Sequence, residues 1–240
     1  MNKMKSLTVI AILAVACAAQ AETLFDSAGS YGAGSAPSAT APYKVIGGSI
    51  LGQDLSSGYN VFTFDSISIN VLDNGIPGSE GTLAIYGNDK LYSIGGKEYA
   101  GPGTLITDVA TFAAGHEDNE NMINTVSYNF AAGSTYTDYY KAGVTVLVTS
   151  EDGISLPFSN ASEIYTASNA AGALGYDTDF WYGSSMDNLT LGAVSGENNP
   201  FSMVVDGTVT LVPEAGTIQL ALMGLAAIGG FAGLRRFKRD

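Results

Sequence analysis

Apolar side chains recur at every second position through the middle of this chain, and that period of two most limits the folds open to it. Val144, Val146 and Val148 alternate with Thr145, Leu147 and Thr149, and Val126, Tyr128 and Phe130 alternate with Thr125, Ser127 and Asn129. Successive side chains of an extended strand point to opposite faces, so each pattern describes a half-buried strand. Phe62 and Phe64 share one parity, whereas Ile67, Ile69 and Val71 share the other. A bulge near Asp65-Ser66 would keep both sets in the core. Leu83 and Ile85 lead through Gly87-Asn88-Asp89-Lys90 to residues 91–94, which reads as a hairpin. Phe201, Met203, Val205, Val209 and Leu211 keep one parity straight through Asp206-Gly207, so one long strand fits 201–212 better than a tight turn.

Between residues 43 and 212 no helical stripe exceeds two turns; 167–174 is Ala-rich but interrupted by Gly172, at best a short helix. About eight to ten short strands between Gly, Asn, Asp and Ser turns predict an all-β, antiparallel β-sandwich, with a jelly roll as one such arrangement. A β-helix needs an internal repeat, and none is present. A membrane barrel is the weaker alternative, because its aromatic girdles are missing. The low-complexity stretch at 30–42 places a flexible arm over residues 22–42, ahead of a domain at 43–212.

Composition narrows the function classes. The 240 residues carry a formal charge of −13, which disfavours nucleic-acid binding by repelling phosphate. One His and one Cys exclude a His-rich metal site, an internal disulfide and a Cys-based zinc site.

Both ends carry targeting patterns. Lys3 and Lys5 precede an apolar run at 7–16 and then Ala19-Gln20-Ala21, a small-x-small cleavage pattern, so residues 1–21 read as a secretory signal peptide for signal peptidase. Cys17 offers an alternative, a loose lipoprotein-type box. At the other end residues 218–234 contain no charge and are followed by Arg235-Arg236-Phe237-Lys238-Arg239. Seventeen residues span about 25 Å as a helix, the short end for a single transmembrane segment, and the basic cluster keeps its end cytoplasmic. Just before the span stands Val212-Pro213-Glu214-Ala215-Gly216-Thr217. This motif, the span and the Arg-rich end, covering about residues 212–239 of a sorting segment placed at 213–240, together resemble the PEP-CTERM sorting signal of Gram-negative bacteria, with Ala215 where the usual pattern has a second Pro. The resemblance implies recognition by an exosortase-like membrane protease, removal of the tail, and transfer from the inner membrane to the cell surface or an extracellular polymer. A plain C-terminal membrane anchor is the alternative. Residues 22–212 hold four lysines against 21 acids, a net charge of −17.

Two segments could bind something. His116-Glu117-Asp118-Asn119-Glu120-Asn121 crowds oxygen donors that could hold Ca²⁺, without the order of a hand-type loop, so a solvated loop is the simpler reading. Tyr176-Asp177-Thr178-Asp179-Phe180-Trp181-Tyr182 sets two acids at i, i+2, which share a face in a regular strand and could share a cation. Tyr176, Trp181 and Tyr182 could form a platform for a sugar ring, against the simpler reading that the aromatics pack in the core. No cofactor is expected apart from that Ca²⁺. No Gly-x-Ser-x-Gly elbow or phosphate loop is present, and no catalytic residue is assigned. The leading expectation is therefore an exported, non-enzymatic surface or matrix-associated protein of structural or interaction type. A Ca²⁺-assisted carbohydrate-binding module, with extracellular polysaccharide as partner, and a small secreted glycan hydrolase are the alternatives.

Overall fold

The computed structural model describes residues 22–29, 38–52, 59–115, 122–131, 134–138, 142–161, 163–169, 172–192 and 200–212. In chain order the strands are β1 (Glu22–Asp26), β2 (Tyr43–Leu51), β3 (Tyr59–Leu72), β4 (Glu80–Gly87), β5 (Lys90–Ile94), β6 (Lys97–Gly101), β7 (Ala110–Ala113) and β8 (Ile123–Asn129). Then follow β9 (Thr135–Asp138), β10 (Val144–Ile154), β11 (Tyr165–Thr166), β12 (Ser168–Asn169), β13 (Gly172–Ala173), β14 (Gly175–Gly183), β15 (Leu189–Gly192) and β16 (Met203–Val212). All pairings are antiparallel. One six-stranded sheet runs β11-β1-β16-β3-β8, with β9 also on β3; the other runs β15-β14-β2-β10-β4-β7.

The chain alternates between these sheets. Taking β1, β2, β3, β4, β7, β8, β10 and β16 as eight successive strands, the first sheet reads 1-8-3-6 and the second 2-7-4-5. That interleaving is the strand order of a jelly roll, with β11 to β15 inserted before the last strand. A single cluster unites the sheets: Leu24, Phe25, Phe62, Ile67, Ile69 and Val205 from the first pack with Ile46, Ile50, Leu83, Ile85, Val146 and Val148 from the second. Burial of this apolar surface is the main favourable term for a domain that has no disulfide available.

The expected bulge is present. Asp206 pairs with Ser66 and Gly207 with Phe64, leaving Asp65 as the extra residue, exposed between two buried faces. Opposite it, Asp206 accepts hydrogen bonds from the Thr23 hydroxyl at 3.0 Å and the Ser66 hydroxyl at 2.9 Å, tying β1, β16 and β3 together where the ladder is irregular. Strand β16 runs unbroken through Gly207, as the parity predicts.

Four sequence expectations change. Residues 22–26 of the expected arm form β1, which sits between β11 and β16 and buries Leu24 and Phe25, so the sheet begins at the first described residue. The hairpin does not join β4 to 91–94. Instead β5 pairs with β6 across Gly95 and Gly96, at φ 59° and 80°, a two-residue turn whose left-handed geometry glycine alone adopts freely. The segment at 167–174 is a β12–β13 pairing, not a helix: Ser168 faces Ala173 and Asn169 faces Gly172. Finally, β10 is covered on both faces. Its odd-side partner, Leu147, packs with Val45, Tyr92, Trp181 and Leu189 in a second cluster under the β5–β6 hairpin, an outer cover that local periodicity does not reveal.

Candidate functional site

The acidic-aromatic segment lies on β14, whose regular pairing with β2 is broken at the acids and resumes at Phe180. Tyr176 pairs with Ile50 and Phe180 with Gly48, so three residues of β14 oppose one of β2. Within that bulge Asp177 accepts the backbone N–H of Asp179 at 3.0 Å, a local turn. The i, i+2 rule for a flat strand therefore does not apply to the pair. Burial pushes the Asp177 carboxyl above its usual range; the Asp179 N–H opposes that shift and the Asp179 charge adds to it. The recess beside them, lined by Gly48, Phe158, Pro200 and Phe201 among others, measures only about 10 Å³, the lower limit for a single water. Among the described residues no three His, Cys, Asp or Glu side chains gather as a metal site.

The aromatics divide between the two faces of β14. Phe180 and Tyr182 lean on Tyr43, with ring centroids 6.4 and 4.4 Å away, and Phe180 meets Phe158 and Phe201 as well. Tyr176 sits edge-on to Phe25. Trp181 faces the other way, 2% exposed, 4.8 Å from the Tyr92 ring. Tyr176, Trp181 and Tyr182 thus share no platform, and packing governs the segment. Gly101 of β6 makes room for Trp181, since a Cβ there would stand 2.3 Å from the indole.

A larger opening lies elsewhere. A cleft of about 320 Å³ separates β7, the edge of the second sheet, from β8, the edge of the first. Consecutive residues line it, Ala110 to Ala113 on one side and Asn124 to Tyr128 on the other, so it presents strand edges as well as side chains. Its half-buried apolar residues are Phe112 and Val126, and no charged side chain lines it. At one end the Tyr128 hydroxyl donates to Asp108 at 2.7 Å. That bond holds the Asp108 carboxyl below its usual range and raises the Tyr128 phenol. Sequence reasoning read the strand around Val126, Tyr128 and Phe130 but not β7, and it missed the cleft, because edge positions follow from sheet order.

Of the sorting-signal residues, Val212 ends β16 opposite Tyr59. Pro213, Glu214, Ala215, Gly216, Thr217, Arg235 and Arg236 lie outside the described residues, as do the expected signal peptide, the expected span at 218–234 and the loop at 116–121. Among the described residues no helix is long and apolar enough to cross a membrane.

Geometry defines a class: a two-sheet, all-β domain whose last described strand reaches Val212, where a C-terminal extension follows in the sequence. Comparison identifies that extension, because residues 211–236 match the PEP-CTERM protein-sorting motif. Such a motif suggests an exported protein, sorted to the cell surface by an exosortase-type system. No curated protein and no solved structure matches the chain.

Proposed function

We propose that this protein is a non-catalytic surface module of a Gram-negative bacterium, freed from both targeting ends and carried to the outer surface or the extracellular matrix. One observation carries the reading: Glu22 lies in β1 and Val212 in β16, and every described strand falls between them, so cuts at the two expected processing sites would remove no described strand. Removal of residues 1–21 by signal peptidase would leave β1 intact. Pro213 has no N–H to donate to a ladder, which suits the segment from Pro213 to Thr217 as the one that a membrane protease would recognise after the domain has folded. The span at 218–234 and the cations Arg235 and Arg236 hold the chain in the inner membrane until then.

Replacing Pro213 and Glu214 together by Ala tests this. The variant is expected to fold with an unchanged thermal midpoint and to accumulate in the inner-membrane fraction with its tail attached. Normal delivery of that variant to the surface would overturn the proposal.

A further inference from the structure

Edge strands expose unpaired backbone groups, and proteins usually blunt them by shortness, by Lys or Pro, or by a bulge. Here β7, β9 and β15 have four residues each and β11 has two. Strand β8 is the exception. Its seven residues, Ile-Asn-Thr-Val-Ser-Tyr-Asn, include no charge and no Pro, and it pairs with β3 over seven consecutive residues without a register shift.

The direction of its free groups follows from the ladder. The Asp73 N–H donates to the Met122 carbonyl at 2.9 Å, so Met122 faces β3, and by alternation so do Asn124, Val126 and Tyr128. On the opposite side of β3, Asn70 and Leu72 donate to Ser202 and Ser155, consistent with that alternation. The N–H and C=O groups of Ile123, Thr125, Ser127 and Asn129 consequently point to the open edge, where no described strand pairs with them.

We infer that this edge is a docking surface for a second copy of the chain, pairing β8 with β8 antiparallel about a two-fold axis at Val126. In that register Thr125 faces the partner's Ser127, Ile123 faces the partner's Asn129, and all four outward residues of each strand both donate and accept. The side chains agree with the register. On the outer face the Ser68 and Ser127 hydroxyls meet at 2.7 Å and Thr125 donates to Asn70 at 2.7 Å, a hydroxyl-amide ladder that Thr125 against the partner's Ser127 continues. On the inner face the two Val126 side chains meet beside the cleft, covering apolar surface that Phe112 and Val126 leave half exposed. Two domains of charge −17 repel, and an uncharged strand is where they approach at least electrostatic cost.

Sedimentation of the exported protein over a concentration and salt series tests the inference. The wild type is expected to form a dimer that strengthens with salt as repulsion is screened. In the dimer the amides of Thr125 and Ser127 should exchange with solvent more slowly than in the dilute protein. Ser127→Pro removes one outward N–H and spares the β3 ladder. Thr125→Asp with Ser127→Asp keeps every backbone group and sets like charges opposite each other. Both variants are expected to be monomeric wherever the wild type is dimeric. A wild type that is monomeric at every concentration, or a double-Asp variant that associates like the wild type, would overturn the inference. Neither result bears on where the cell delivers the protein.

Discussion

At the scale of single residues, Asp177 shows why a pattern of residue types is a poor guide to a site. The spacing of Asp177 and Asp179 was legible, whereas a strand there was only a condition for their sharing a face. What stayed hidden was the mismatch of β14 against β2, which turns the pair into a local turn instead of two carboxylates on one face. Its raised carboxyl pKa makes a testable claim. A folded-state value above the unfolded one means that ionising Asp177 opposes folding, so its contribution worsens as pH rises through the folded value and vanishes in acid. Asp177→Asn keeps an acceptor for the Asp179 N–H and should raise stability at neutral pH. The gain should disappear at pH values low enough to protonate the carboxyl in both states. Denaturant titrations of wild type and variant at the two extremes would decide it, and a gain independent of pH would contradict the burial argument.

Elements were read best where both faces of a strand speak in the local sequence. The bulge at Asp65 and the continuity of β16 were visible because a parity change, or its absence, directly reports which face is buried. The β5–β6 hairpin was misplaced because turn residues occur at both 87–90 and 95–96, and only the pairing decides between them. The outer cover of β10 was invisible for a related reason: Leu147 lies on the face that alternation assigns to water. Trp181 is the only tryptophan and lies beneath this hairpin, so its emission reports the cover. Replacing Gly95 and Gly96 by Ala imposes positive φ on two L-residues, at about 1–2 kcal/mol each. The expected result is a loss of about 2–4 kcal/mol of stability with a red-shifted Trp181 emission in the native state. Unchanged emission with lowered stability would mean that the hairpin does not control access to the indole.

For the whole molecule, the fold class and the C-terminal motif were the most legible features, since alternation and a charged-end apolar span are both encoded locally. The jelly-roll order, the cleft between β7 and β8 and the free edge of β8 depend on which distant strands become neighbours. At this scale the described strands lie between the two expected processing sites, and residues 22–212 keep four of the ten cations and 21 of the 23 acids, a strongly acidic stretch. The central claim is that this domain leaves the inner membrane without its tail. Intact-mass measurement of the protein recovered from the outside of its producing cells tests it most directly. The account predicts a chain beginning at Glu22 and lacking residues from about Thr217 onward, with any attached group adding to that mass. Recovery of a chain that still extends through Arg235 and Arg236 to Asp240 would contradict it.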